Sequence, residues 1–284
     1  MSLTPLPTIL YADTVRLALA EDLGRVGDLT TSAIIGSGVQ ADFKVVARQA
    51  GTIAGQEVAR EAFRLVGADV TYTSAVSDGS RVIAGQEVAN ISGPAASILT
   101  AERVALNFLG HLSGVATETT KLVDAVVGTG TAITCTRKTT PGLRALEKFA
   151  VRCGGGKNHR FGLDDAVLIK DNHIAVAGGI TAAVRSVRAA VGHLVAIEVE
   201  VDTMDQLREL LTSPVDVVML DNMAPAMLRE AVAVVDGRMT IEASGNVTLS
   251  TVRDIAKTGV DTISAGWITH SAPTLDLGLD AVSD

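Results

Sequence analysis

The chain has 284 residues, 47% of them apolar but only 3% aromatic, and it carries a formal net charge of −8 with a pI near 5.2. No apolar run approaches the ~20 residues of a membrane span, the N-terminus lacks the basic-then-apolar pattern of a signal peptide, and the acidic balance argues against nucleic acid as a partner. The two cysteines, Cys135 and Cys153, give neither a disulfide framework nor a metal-ligand spacing, so the expectation is a cytoplasmic protein with an Ala/Val/Ile/Leu core of the α/β kind.

Residues 8–22 space Ile9, Leu10, Val15, Leu17 and Leu19 as a helix does, and Gly24 offers it a left-handed stop. Gly27-Asp28-Leu29-Thr30-Thr31 reads as a turn into a strand, and residues 41–91 as short alternating strands separated by turns. Within that stretch Ile53-Ala54-Gly55-Gln56-Glu57-Val58-Ala59 recurs as Ile83-Ala84-Gly85-Gln86-Glu87-Val88-Ala89. Two copies are too few for a solenoid, and they predict two similar strand turns in a small α+β domain. Residues 95–127 read as one long helix, or two joined near Ser113-Gly114, with a domain boundary near its start.

From residue 131 the rhythm changes. Apolar runs at 132–135, 166–169, 195–201, 215–220, 239–243 and 260–264 alternate with helix-patterned stretches at 141–152, 180–191, 204–211, 224–235 and 249–257. Such alternation predicts a parallel sheet, either an incomplete or decorated (β/α) barrel or, as the alternative, a doubly wound open sheet. Each run is followed or ended by polar residues: Arg137 and Lys138, Lys170 and Asp171, Glu198 and Glu200, Asp221 and Asn222, Ser244-Gly245-Asn246, Ser264-Ala265-Gly266. Reactive side chains at successive strand C-termini are the arrangement of a barrel active site.

Eight of the chain's 24 Lys and Arg fall between Arg137 and Lys170, joined by His159 and opposed only by Glu147, Asp164 and Asp165. A surplus of cations inside an acidic chain points to a small, highly charged anion, with Gly154-Gly155-Gly156 allowing main-chain N–H groups to approach it. Glu198 and Glu200 share one face of a strand by its period of two. Glu200 is nearer the mouth, Glu198 is either functional or a structural partner of a Lys, and Asp221 ends the next strand. Carboxylates facing bound phosphates suit Mg²⁺, held directly or through water. Ser244-Gly245-Asn246, ahead of a helix start, and Ser264-Ala265-Gly266 offer donors to a phosphate. His111, His193 and His270 read as surface or packed residues, and no Ser or Cys sits in a nucleophile elbow.

Thr136-Arg137-Lys138-Thr139-Thr140-Pro141-Gly142-Leu143-Arg144, Gly154-Gly155-Gly156-Lys157-Asn158-His159-Arg160 and Leu168-Ile169-Lys170-Asp171-Asn172-His173 closely resemble the quinolinate phosphoribosyltransferase family. Glu21-Asp22-Leu23-Gly24 with Gly27-Asp28-Leu29-Thr30-Thr31, and Glu102-Arg103-Val104-Ala105-Leu106-Asn107, extend the likeness over nearly the whole chain. The resemblance implies an N-terminal α/β sandwich domain at 1–103, an open α/β barrel of about seven strands at 104–270, and a tail at 271–284 packing back on the first domain.

The reaction it implies joins quinolinate to the phosphoribosyl group of 5-phosphoribosyl-1-diphosphate, with loss of diphosphate and CO₂, to give nicotinate mononucleotide for NAD biosynthesis. Site residues follow by motif. Arg103, from the neighbouring subunit of a homodimer or hexamer (trimer of dimers), Arg137, His159 and Arg160 would bind the quinolinate carboxylates. Lys138 and Lys170 would stand between dicarboxylate and diphosphate, Glu200 and Asp221 would hold the ribose hydroxyls and Mg²⁺, and Ser244, Gly245, Asn246 and Gly266 would take the 5-phosphate. Lys138, Glu200 and Asp221 are the expected catalytic residues. Two other readings compete: a phosphoribosyltransferase acting on a monocarboxylate, disfavoured by the surplus of Arg and His, and a non-catalytic barrel binding a phosphorylated metabolite, disfavoured by Glu200 and Asp221.

Overall fold

A computed structural model describes residues 3–282. After a 3-10 turn at Thr8–Leu10, α1 (Ala12–Leu23) stops at Gly24, whose φ of 55° is the left-handed value that glycine tolerates. Residues 28–31 do not lead into a strand: the Asp28 carboxylate accepts the Thr31 N–H at 2.9 Å and caps the short helix α2 (Leu29–Ile34). An Asp ahead of Leu-Thr-Thr-Ser suits an N-cap as well as a turn, and the cap prevails.

β1 (Gln40–Ala47), β2 (Gly51–Thr52), α3 (Gln56–Val66), β3 (Thr71–Ser74), β4 (Arg81–Val82) and β5 (Glu87–Pro94) follow. The repeated heptapeptide is therefore not two strand turns. Its first copy opens α3 and its second enters β5. The difference lies in tertiary partners. Asp78 accepts the N–H groups of Gly55 (2.9 Å) and Gln56 (3.1 Å), a helix cap that residues distant in sequence supply to the first copy. The second copy turns at Gly85 and pairs Ala89 with Val45.

One uninterrupted helix, α4 (Ala95–Ala125), precedes β6 (Ala132–Thr134), α5 (Arg144–Cys153), β7 (Val167–Ile169), α6 (Asp171–Ala177), α7 (Ile180–Ala190), β8 (Ile197–Val201) and α8 (Met204–Leu210). The chain continues with β9 (Val217–Asp221), α9 (Pro225–Val235), β10 (Thr240–Ser244), α10 (Val252–Ala256), β11 (Thr262–Ser264), α11 (Trp267–His270) and β12 (Leu277–Ala281). The expected helix at 249–257 begins only at Val252, because Thr248, Ser250 and Thr251 bond their hydroxyls to one another ahead of it.

Contacts divide the chain into two compact units. The first holds the chain up to Thr120, Thr139–Gly155 and the chain from Trp267 on; the second holds Lys121–Lys138 and Gly156–Gly266. The boundary expected at residue 103 thus lies inside α4. The first unit carries an antiparallel sheet in the order β12-β1-β5-β3, so the C-terminal tail supplies an edge strand beside β1; residues 283 and 284 lie outside the described residues.

The second unit carries a parallel sheet in the order β6-β11-β10-β9-β8-β7. Six strands are hydrogen-bonded, and a single parallel bridge between Thr134 and Lys157 adds one residue beside β6 where a seventh strand would run. Val199, Val201, Val218, Leu220, Ile241, Ala243 and Ile263 are buried along these strands, as parallel strands covered on both faces require. No helix of the described residues is long and apolar enough to cross a membrane.

Candidate functional site

The parallel sheet delivers its polar residues to one end. Glu200 stands opposite Met219 across β8 and β9, and Met219 opposite Glu242 across β9 and β10; one step further along, Asp221 stands opposite Ser244. These residues share one face of the sheet because parallel pairing keeps the alternation of side chains in phase. A cleft of about 370 Å³ opens there. Arg137, Lys138, His159, Arg160, Lys170, Glu200, Asp221 and Ser244, all foreseen from the sequence, line it together with Thr136, Leu168, Met219 and Ser264.

Its cations are arranged for an anion. Lys170 Nζ lies 2.6 Å from Glu200 Oε2, and the Lys170 backbone N–H donates to His173 Nδ1 at 3.0 Å, which fixes the start of α6. Arg160 Nη1 donates to the Ala166 carbonyl at 3.0 Å, while its buried Nε has no protein partner. Burial first, and then the charge of Arg137, push the Arg160 pKa down. Two crowded guanidinium groups of this kind are relieved by a bound dianion. After Arg160 the chain is held by Asp165, whose carboxylate accepts the N–H groups of Phe161 (2.5 Å) and Gly162 (2.8 Å).

The acids form two groups. Glu200, Asp202 and Asp221 bring carboxylate oxygens within 4.8 Å of one another at the half-open mouth. An all-oxygen, multiply charged set of this kind fits a hard divalent cation. Asp202 has the parity of Glu198 and Glu200 but lies one residue past the end of β8, beyond the apolar run that the sequence marks as a strand. Deeper in the sheet, His159 Nε2 lies 2.9 Å from Glu198 Oε2 and 3.7 Å from Glu242 Oε2. Burial first, and then the charge of Glu198, push the Glu242 carboxyl up to about 7, with His159 and the Ser264 hydroxyl opposing. Glu242 was missed altogether, although it sits two residues before Ser244 and its parity signals the same face.

The described geometry matches known proteins over nearly the whole length. Residues 28–113 match the family model for the N-terminal domain of quinolinate phosphoribosyl transferase, and residues 115–280 the model for its C-terminal domain. The chain belongs to the quinolinate phosphoribosyltransferase family.

A relative from Mycobacterium leprae, a nicotinate-nucleotide pyrophosphorylase (carboxylating), is 45% identical over 275 residues, covering 94% of this chain and 96% of its own. A mitochondrial quinolinate phosphoribosyltransferase (decarboxylating) of Nicotiana tabacum is 42% identical, covering 96% of this chain and 82% of its own. The crystal structure of NadC from Streptococcus pyogenes superposes with a TM-score of 0.94 at 41% identity, covering 99% of this chain and all of that one. The activity is that of a decarboxylating quinolinate phosphoribosyltransferase forming nicotinate mononucleotide in NAD biosynthesis.

Not every family-motif residue lines the cleft. Arg103 is exposed on α4 and lines a different cleft in the first unit, of about 420 Å³, with Glu21, Asp22, Asn107 and His111. Gly154 of the triple glycine packs against α4: a Cβ there would collide with the Ala116 carbonyl and Thr119. The close approach that this glycine permits is to a helix backbone, not to an oxyanion. Ser244-Gly245-Asn246 forms a tight turn after β10, with Gly245 at φ 91° against the Asn222 side chain, and Asn246 Nδ2 donating to Asn222 Oδ1 at 3.1 Å. This turn does not abut a helix N-terminus, since α10 starts at Val252. Gly266 leaves room for a neighbouring lysine: a Cβ there would stand 3.0 Å from Lys138 Cδ. His193 and His270 are exposed, and His111 Nε2 meets the buried Glu147 at 2.9 Å.

Proposed function

We propose that the barrel cleft is where quinolinate meets 5-phosphoribosyl-1-diphosphate, in the cytoplasm. The observation that carries this reading is the cleft itself, lined by Arg137, Lys138, Arg160 and Lys170 together with Glu200 and Asp221. Quinolinate brings two carboxylates, and its cosubstrate a diphosphate and a phosphate. Arg137 and Arg160 take the carboxylates, since a guanidinium fork matches two oxygens at once. Lys138 and Lys170 lie between the dicarboxylate and the diphosphate. Ser244, Gly245, Asn246 and Gly266 receive the 5-phosphate.

The ring nitrogen of quinolinate then attacks C1 of the ribose as the C1–O bond to diphosphate breaks; the bond from C2 to the carboxylate beside the nitrogen then breaks with loss of CO₂, and the electron pair left on C2 takes a proton from water. Positive charge develops at C1 in the transition state, and the Glu200 and Asp221 carboxylates stabilise it while bonding the ribose hydroxyls. Lys138 stabilises the departing diphosphate. No nucleophile of the protein is required, and the rate comes from positioning and fixed charges. Mg²⁺ fits the oxygen set of Glu200, Asp221 and Asp202, and when bound it offsets diphosphate charge.

The functional unit is a homodimer or an assembly of dimers in which Arg103 of one subunit reaches its neighbour's site. Leu17, Val26, Leu29 and Ile34 of the first unit are exposed apolar side chains that such a pairing would have available to cover.

The test is product analysis with quinolinate, 5-phosphoribosyl-1-diphosphate and Mg²⁺, with nicotinate as a parallel acceptor. Nicotinate mononucleotide from quinolinate alone, with one CO₂ per turnover, is expected. Turnover of nicotinate alone would move the site to a monocarboxylate, and binding without turnover would leave a binding barrel.

A further inference from the structure

His159 is placed so that both of its ring nitrogens are used inside the protein. The backbone N–H of Arg160 points at Nδ1 from 2.8 Å. A backbone N–H only donates, so Nδ1 must accept with its lone pair, and the ring proton sits on Nε2. That Nε2–H faces Glu198 Oε2 at 2.9 Å, with Glu242 Oε2 at 3.7 Å. The ring is therefore clamped at both ends, and it cannot give a proton to a substrate carboxylate without releasing a carboxylate of its own.

The two acids come from β8 and β10, with β9 between them, and converge on this one ring. They are buried, with 7% of Glu198 and 3% of Glu242 exposed, and each has one carboxylate oxygen without a protein partner. Burying two carboxyl groups beside one imidazole costs stability. A purely structural pairing would be replaced by apolar residues at little loss, so the arrangement calls for a reason in the site.

The reason lies in the next residue. Arg160 anchors one Nη to the Ala166 carbonyl, its buried Nε has no protein partner, and it lines the cleft. Its main chain is what His159 Nδ1 holds. We propose that Glu198 and Glu242 are positioning residues for the quinolinate end of the site, orienting His159 as the Nε2–H tautomer so that His159 fixes the backbone from which Arg160 reaches substrate. This rests on the assignment of Arg160 to quinolinate. It adds a positioning part to the one expected of His159 at the quinolinate carboxylates.

Steady-state kinetics of the full-length enzyme, with each substrate varied in turn, test it alongside ¹⁵N-detected NMR of the histidine rings in the free enzyme. Glu198→Ala and Glu242→Ala should raise the KM for quinolinate, Glu198→Ala by about 10-fold or more, while the KM for 5-phosphoribosyl-1-diphosphate stays within about twofold. Glu198→Gln, whose amide oxygen accepts the same Nε2–H, should restore most of the loss. The His159 signal, assigned by its absence in His159→Gln, should show a protonated Nε2 and an unprotonated Nδ1 at neutral pH. An Nδ1–H tautomer or an imidazolium would overturn the proposal, as would equal rises in both KM values or a Gln variant as impaired as the Ala variant. Arg160→Ala separates the two levels. If it leaves the quinolinate KM unchanged, the assignment of Arg160 falls and the positioning role with it. If it raises that KM while Glu198→Ala does not, only the positioning role falls.

Discussion

Lys170 Nζ and Glu200 Oε2, 2.6 Å apart, tie together the mouth ends of two neighbouring parallel strands, β7 and β8. The Lys170 side chain is 46% exposed and that of Glu200 13%, so solvent screens the pair from one side. An exposed pair of this kind contributes about 1 kcal/mol or less to folding. In the proposed function its value is that it presets a cation for the diphosphate and an anion for the ribose. Glu200→Ala should lower kcat by about 100-fold or more while the melting temperature stays close to that of the parent protein. Melting curves and steady-state rates on the same preparation check this. Near-normal turnover would remove Glu200 from the chemistry.

Lys138 is the exposed cation that follows β6, and Gly266 makes room for its stem. Lys138→Ala should lower turnover with little change in folding. Gly266→Ala should act in the same direction more weakly, because a Cβ 3.0 Å from Lys138 Cδ pushes the side chain aside by a few tenths of an ångström. Rates of nicotinate mononucleotide formation for the two variants, measured in parallel, are the check. A Gly266→Ala protein with unchanged rate and affinity would show that the position of Lys138 is not critical.

The two copies of the heptapeptide offer a comparison in which the local sequence is constant. Gln56 is buried, donates from Nε2 to the carbonyls of Val76 (2.8 Å) and Val88 (3.2 Å), and accepts from the Tyr72 hydroxyl. The Gln86 side chain accepts the Ile83 N–H, at 3.2 Å, near the surface. Gln56→Leu strands buried polar groups and should cost about 2 kcal/mol or more, whereas Gln86→Leu should stay within roughly 0.5 kcal/mol of the parent. Urea unfolding of both proteins measures the difference, and equal midpoints would contradict it.

Asp78 gives the first unit a pH dependence. Burial raises its carboxyl from 3.8 to about 6, against the N–H groups of Gln56 and Gly55 that favour the ionised form. The folded chain therefore holds this proton more tightly than the unfolded chain. The resulting stability is fully present below about 3.8 and is lost as the pH rises through about 6. Asp78→Asn removes this contribution, so stability of the parent minus that of the variant should fall between pH 4 and pH 6 by on the order of 2 kcal/mol. Urea midpoints at pH 4, 5, 6 and 7 follow it, and a flat or rising difference would count against the assignment.

Much of the second unit was legible because its signals are local and periodic. Six apolar runs, the polar residues that end them, and the parity of Glu198 and Glu200 all follow from a strand's period of two and from the rule that parallel strands are covered on both faces. The motifs around Arg137, His159 and Lys170 then named the family. The cleft brings together eight of the expected residues for the same reason, since a parallel sheet presents its strand C-termini at one end.

What the sequence by itself determined was thus the alternation of elements, the charge of the cleft and the family. Only the tertiary structure decided matters that depend on partners far away in the chain. Ile-Ala-Gly-Gln-Glu-Val-Ala is helical where Asp78 caps it and extended where Val45 pairs with it, and nothing within the seven residues distinguishes the two. Gly154 reads as an anion-binding glycine until α4 is seen against it. His159 reads only as a substrate ligand until the Arg160 N–H and the Glu198 and Glu242 carboxylates are found beside its nitrogens. In each case the side chain has the same intrinsic chemistry in either role, and the free energy that selects between the roles comes from contacts that the fold alone creates.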